Sequence, residues 1–315
     1  MWNSSRARSQ RLPRLLCGVI GVVGLFVATT RVTHAEPFTL GNILVTHGKL
    51  LDEYTLDGEL VQSIPVPHPN TSRYDVGDVV YDRYGRVHIV NRAPFDKDYI
   101  STFNPVTEEW THTQVYPISG GSLDLSIFGN TLIRRGFRMS VDTFDIEVIL
   151  QGPNEVSVGR DGLLYMINGG SPRNMLSRAE RQTGYRIGEI LELFNSRGGY
   201  IDGDGLTATA SGEIYIAASD SRIYHFDKLD GHPIADIYTG ANGHVDINMR
   251  SDGMLIAGSL SGDVVVTNTN FSSISTFNVG SHAYTAFVET PIPEPTTLTL
   301  AALGLLGVVC CRCRR

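Results

Sequence analysis

Residues 206–238 read LTATASGEIYIAASDSRIYHFDKLDGHPIADIY. A first β-branched run, 206–210, turns at Ser211-Gly212. A second, 213–217, alternates Ile and Tyr with small residues and turns at Ser219-Asp220-Ser221. A third, 222–226, carries Ile223, Tyr224 and Phe226 and turns at Asp230-Gly231, and a fourth runs from Ile234 to Tyr238. Each run is strand-length, has a period near two, and is bounded by Gly, Asp or Ser, so none supports an amphipathic helix. Four antiparallel strands in about forty residues make one blade of a β-propeller.

The pattern repeats in both directions. Glycines that close a turn after a first strand stand at Gly41, Gly85, Gly129, Gly162, Gly212 and Gly253, spaced by 44, 44, 33, 50 and 41 residues. Four-stranded blades recur at about 40–45 residues. Second strands are expected at 43–45, 87–90, 132–133, 163–167, 214–216 and 254–256, and third strands at 50–56, 99–103 and 264–267. The short gap after Gly129 predicts an abbreviated third blade. The long gap after Gly162 predicts an insertion around 170–177. The first unit lacks its own first strand, and the run 283–288 (Ala-Tyr-Thr-Ala-Phe-Val) is placed to supply it. Such pairing closes the ring and leaves few free strand edges. The fold class is therefore all-β, a six-bladed β-propeller, with seven blades as the alternative and a pair of β-sandwiches third.

The stretches 183–190, 226–231 and 54–58 resemble the outer hairpin of NHL-like repeat propellers, and 159–165 is similar to their inner hairpin. The resemblance covers about two-thirds of the body and implies a fold without implying an activity, because propellers carry catalytic and purely binding functions alike.

The two ends carry a different kind of information. Arg6, Arg8, Arg11 and Arg14 precede an apolar run at 15–28, and Thr33-His34-Ala35 places small residues three and one positions before Glu36. This is the layout of a secretory signal cleaved after Ala35; the apolar run is shorter than the ~20 residues of a membrane span. Pro293-Glu294-Pro295 is followed by an apolar stretch at 296–311 and then by Arg312, Arg314 and Arg315. Motif, short apolar helix and basic end in that order closely resemble the PEP-CTERM sorting signal. The resemblance implies export, a C-terminal transmembrane segment before processing, and an exosortase-type processing enzyme that cuts near the motif. The expected organisation is a signal peptide at 1–35, a propeller at 36–290 and a sorting and anchor segment at 291–315.

Residues 36–292 hold 18 Lys and Arg against 32 Asp and Glu, a net charge of −14 that the basic ends reduce to −7 for the whole chain. A domain so acidic repels nucleic acid and attracts cations. All four cysteines, Cys17, Cys310, Cys311 and Cys313, lie in the terminal segments. The body has neither disulfides nor thiol chemistry, and its stability must come from its core.

Acidic residues stand near the start of five first strands: Asp78, Asp124, Glu155, Asp204 and Asp246, with His282 at the matching place before the closing strand and His244 two before Asp246. In a closed ring these would converge on one mouth of the central channel as a hard-oxygen site suited to calcium. The competing reading has each Asp bonding amides of its own interblade turn. Asp202-Gly203-Asp204-Gly205 resembles half of a calcium loop, without later acidic ligands at usable spacing. His88 and His225 fall inside strand patterns and read as blade packing. Tyr54, Phe103, Tyr165, Tyr215, Tyr224 and Phe226 read as core before glycan platforms. No Gly-x-Ser-x-Gly elbow is present. The leading functional expectation is an exported, surface-sorted binding or extracellular-matrix protein without catalysis and without a required cofactor. Its partners would be extracellular polysaccharide or a surface protein. The alternative is a secreted metal-dependent, lactonase-like hydrolase or lyase using the channel mouth.

Overall fold

The computed structural model describes residues 38–92, 98–115, 123–125, 130–134, 137–148, 155–168, 175–180, 186–227 and 232–290. The chain separates into two units, Met1–Ala35 and Glu36–Arg315, and every described residue belongs to the second.

The described residues form six four-stranded antiparallel sheets. Blade 1 contains β1 (Ile43–His47), β2 (Leu50–Tyr54) and β3 (Leu60–Pro65). Blade 2 is β4 (Asp75–Tyr81), β5 (Val87–Arg92), β6 (Asp98–Asn104) and β7 (Glu109–Val115). Blade 3 is β8 (Leu123–Leu125), β9 (Thr131–Arg134), β10 (Phe137–Ser140) and β11 (Ile146–Val148). Blade 4 is β12 (Glu155–Val158), β13 (Leu163–Asn168), β14 (Met175–Glu180) and β15 (Arg186–Glu192). Blade 5 is β16 (Gly203–Ala208), β17 (Ile214–Ala218), β18 (Arg222–Phe226) and β19 (Pro233–Tyr238). Blade 6 is β20 (His244–Met249), β21 (Met254–Ser259), β22 (Asp263–Asn268) and β23 (Ile274–Asn278). The last strand, β24 (Tyr284–Phe287), returns to blade 1 and pairs with β1, Ile43 opposite Phe287 and Thr46 opposite Tyr284. The inner strands then touch in the cyclic order β24, β4, β8, β12, β16, β20 and back to β24.

The expected six blades and the closing strand are present, and the third blade has the expected short strands. Part of the extra length after Gly162 lies in the connection 193–202 between β15 and β16, rather than all of it around 170–177; residues 169–174 lie outside the described set.

The core is divided among the blade interfaces. Six clusters of buried apolar residues lie one between each neighbouring pair of blades. Alternation along one strand feeds two of them. On β17, Ile214, Ile216 and Ala218 face blade 4, while Tyr215 and Ala217 face blade 6. On β1, Leu44 faces blade 2 and Ile43 and Val45 face blade 6. Side chains two apart share a face of a strand, so a strand buried on both faces reads as a continuous apolar run. Tyr54, Phe103, Tyr165, Tyr215, Tyr224 and Phe226 are all buried. Phe38 adds a lid to the seam between blades 1 and 2, edge-on to Tyr81 and Phe103 at 6.3 and 6.2 Å.

The turn glycines are required by backbone geometry. Gly85, Gly162, Gly212 and Gly253 have φ of +78°, +82°, +85° and +86°. Each donates its N–H to the carbonyl three residues back, Asp82, Gly159, Thr209 and Arg250 in turn. That left-handed position favours a residue without Cβ. Gly41 has the same conformation at +91°, but its N–H donates to Val288 O, at 2.9 Å. The hairpin that every other blade closes covalently is here split between the two ends of the domain and held by hydrogen bonds.

Candidate site at the channel mouth

The inner strand of each blade pairs on one side only, and its other edge presents backbone amides to the channel. Buried amides need partners, and carboxylates from the preceding blade supply several. Leu123 N–H on β8 donates to Asp78 Oδ2 of blade 2 at 2.6 Å, while Val79 N–H donates to Asp78 Oδ1 at 2.8 Å. Val158 N–H on β12 and the Ser157 hydroxyl both donate to Asp124 Oδ2 of blade 3, each at 2.7 Å. Thr285 N–H and hydroxyl on β24 donate to Asp246 Oδ2 of blade 6 at 2.8 and 2.9 Å. Asn248, two residues on and therefore on the same face, donates to Asp246 Oδ2 at 3.0 Å and to Thr285 O at 2.6 Å.

These three carboxylates feel one another. Burial, then the charge of Asp246, pushes Asp78 well above the usual carboxylate range, against the amides of Leu123 and Val79; Asp124 adds to the rise. Burial raises Asp246 to about 6 although Thr285 opposes it, and Asp124 contributes again. Asp78 and Asp246 are 3% and 5% exposed, which is why their mutual repulsion is weakly screened.

Asp204 and His282 are not part of this group. Asp204 is the extra residue of a β-bulge: Gly203 pairs with Ala218 and Gly205 with Ala217. A one-residue offset turns a side chain to the other face of a strand, and Gly205 takes the position that Asp246 holds in blade 6. No side chain fits there, because a Cβ on Gly205 would lie 2.7 Å from the Asp246 backbone. The Asp204 carboxyl is raised to about 6 by burial and by Asp202, not by the channel group. His282 is exposed in the connection ahead of β24. The Glu155 side chain lies outside the described residues, although β12 begins there. His244 is buried and bonded to Thr239 at 2.7 Å, and burial lowers it to about 4. Among the described residues no three His, Cys, Asp or Glu form a group disposed to hold a metal ion. A cation at Asp78, Asp124 and Asp246 would share their oxygens with the amides of Val79, Leu123, Val158 and Thr285.

The opposite ends of the inner strands are tied across the ring. Arg160, in the turn after β12, donates to Met249 O at 2.6 Å and pairs with Glu289 at 2.9 Å; Glu289 also accepts Ser251 N–H at 3.0 Å. His88 and His225 are packing residues as expected. His88 is fully buried between Asp82 and Thr102, and His225 stacks on Tyr215 at 4.4 Å. The sequence did not point to Thr285 or Asn248 as partners of Asp246. Asn248 was within reach of period-two alternation, whereas the bonds to Leu123, Val158 and Thr285 N–H involve backbone, which leaves no trace in residue identity.

A six-bladed β-propeller is the class that this topology defines. Beyond it, residues 291–315 match the PEP-CTERM protein-sorting motif. That motif indicates export, processing by an exosortase with membrane association, and a cell-surface or envelope location. Residues 291–315, including Pro293, Glu294 and Pro295 and the expected transmembrane segment, lie outside the described residues, as do Ala35 and the signal peptide. Among the described residues no helix is long and apolar enough to cross a membrane. No curated protein sequence matches the chain. Of solved structures, TolB from Acinetobacter baumannii is similar over 79% of this chain and 67% of that one, with 14% identity and a TM-score of 0.56. U3-55K is similar over 75% and 77%, with 10% identity and a TM-score of 0.49. At 14% identity the likeness to TolB is one of fold alone.

Proposed function

We propose that the propeller is a surface-displayed binding or matrix module whose channel is scaffold and whose partners, extracellular polysaccharide or another surface protein, are met on the exposed surface. The observation that carries this reading is the commitment of Asp78, Asp124 and Asp246 to amides of the next blade. Carboxylates held this way join one blade to the next. Exposed aromatic rings supply a surface for sugar faces: Tyr84 is 50% and Tyr238 63% exposed. Aromatic residues with one apolar face and a polar edge suit such contacts.

The test is solid-phase binding of the full chain to polysaccharide extracted from the producing cells. Wild-type chain binds, and Tyr84→Ala with Tyr238→Ala weakens binding about tenfold, the loss of one or two good aromatic contacts. Absence of retention on polysaccharide and on surface extracts alike would remove the reading. The second reading, a metal-dependent hydrolase or lyase at the channel mouth, draws on the raised proton affinity of Asp78 and Asp246. It requires lactone turnover that stops on chelation, and a calorimetric calcium signal that Asp78→Ala with Asp246→Ala abolishes.

A further inference from the structure

Three residues distant in sequence meet on the seam between blades 6 and 1. His47 ends β1 and Asp52 lies in β2, and His47 Nε2 is 2.7 Å from Asp52 Oδ2. Asp52 is 3% exposed, and the Tyr54 hydroxyl donates to the same oxygen at 3.1 Å. The other ring nitrogen, His47 Nδ1, faces the Ser281 hydroxyl at 3.4 Å. Ser281 sits in the connection between β23 and β24, so the juxtaposition exists only because the ring closes.

The surroundings of Ser281 are held on one side and open on the other. A Cβ on Gly262 would fall 2.5 and 2.6 Å from Ser281 O and N, so that glycine lets the serine backbone press against the blade 6 turn. A Cβ on Gly48 would meet only Ser281 Oγ, at 3.9 Å, and one on Gly280 would meet nothing within 4 Å. Ser281 is half-buried, and its hydroxyl is approachable from the Gly48 side. Around it, Val279, Gly280 and Ala283 spend their N–H groups on Gly262 O, Asn278 Oδ1 and Ser259 O. The N–H groups of Ser281 and His282 donate to nothing among the described residues.

We propose that Ser281, His47 and Asp52 form a serine acyl-transfer site acting on carboxylic esters. Asp52 holds the Nε2–H tautomer, which leaves Nδ1 as the base; the two ring nitrogens exchange their usual places, and either serves when the other carries the proton. Ser281 Oγ bonds to the ester carbonyl carbon as its proton passes to His47 Nδ1. The carbon–alkoxide bond then breaks and the alcohol leaves with that proton. Water, deprotonated by the same nitrogen, cleaves the acyl-serine to release the acid and restore the hydroxyl. The uncommitted N–H groups of Ser281 and His282 are the donors available to a developing oxyanion. A 3.4 Å nucleophile–base separation is of the kind that tightens once substrate is bound. Ser281 and His47 are the catalytic residues, and Asp52, acting through His47, is a positioning residue. The site stands apart from Tyr84 and Tyr238, so it does not depend on the binding reading.

The experiment uses the full chain in detergent with a fluorophosphonate probe and p-nitrophenyl acetate. A covalent adduct maps to Ser281 and disappears in His47→Gln. Ester turnover falls about a thousandfold or more in Ser281→Ala, a change typical of losing a triad nucleophile, at an unchanged melting temperature. Asp52→Asn lowers kcat with little change in KM. No adduct on the folded wild-type chain, an adduct on another residue, or labelling indifferent to His47→Gln overturns the proposal. If His47→Gln fails to fold, Ser281→Ala decides alone: turnover equal to wild type overturns it.

Discussion

Asp246 and Asp204 show how one residue type does opposite things a single blade apart. Asp246 is almost fully buried, yet its ionised form is met by two donors of Thr285, so removing it leaves a buried amide on β24 without a partner. Asp246→Ala is expected to cost about 1–3 kcal/mol, the usual range for stranding a buried donor, and Thr285→Val less, since it keeps the amide bond. Chemical denaturation of both variants checks the order. Asp204 has no such donors. Its proton affinity is raised by burial and by Asp202 to about 6, above the 3.8 of an ordinary aspartate. The folded state therefore holds more protons than the unfolded one between those values, and this residue's contribution to stability falls as pH rises through the folded value. Asp204→Asn is expected to melt above wild type at pH 8, by up to about 2 °C after allowance for its partial exposure, and to lose that advantage at pH 4. Melting scans at the two pH values decide; an advantage that grows toward acid would reverse the assignment.

At the scale of the strand and turn, most of the architecture was legible because two signals agree. Among the described residues glycine stands at a left-handed turn position in five of the six blades, and alternating apolar residues recur between those glycines. The glycine signal is a backbone requirement, so it survives wherever the turn survives, and it marked even Gly41 in a hairpin that is split between the chain ends. Gly212→Ala puts a Cβ at φ +85° and is expected to cost about 1–2 kcal/mol. Gly258→Ala is expected to be worse, because its Cβ would lie 2.0 Å from Ala283 O, where β24 approaches blade 6. Equal melting temperatures for wild type and both variants would contradict the turn and packing roles. The candidate site was less legible for a physical reason. The inner strands of blades 5 and 6 share a bulge at the same place, and Asp204 is the bulged residue itself whereas Asp246 is the paired residue after it, an offset of one that composition does not show. The partners of the remaining carboxylates are amides, and the His47–Ser281 meeting spans 234 residues of sequence. None of these leaves a short-range pattern.

For the molecule as a whole, the fold and the sorting signals occupy separable stretches of chain. Phe38 is buried, and Glu289 is the last described residue bonded across the ring, to Arg160 and Ser251. Cleavage after Ala35 and near Pro293 would thus spare the propeller at both ends, and the intact mass of surface-extracted protein is expected to be reduced at both; full-length chain reaching Arg315 on the outer surface would refute this. The closing strand is where the fold is vulnerable. β24 covers the edge of β1 through the pairs from Ile43–Phe287 to Thr46–Tyr284 and brings Thr285 to Asp246. It also places Ala286 and Val288 in the core between blades 1 and 2, and Phe287 in the core between blades 1 and 6. Deleting residues 282–290 would strip two of the six interblade clusters, free a strand edge on β1, and leave the Asp246 carboxylate buried without its strongest donors. Each interface is shared by two blades, so loss at one seam is not confined to blade 1. The expected result is cooperative unfolding of the whole domain at the temperature where wild type is native, seen as loss of its melting transition and uniform protease sensitivity. Retention of the wild-type melting temperature would mean that the ring does not depend on its own closure.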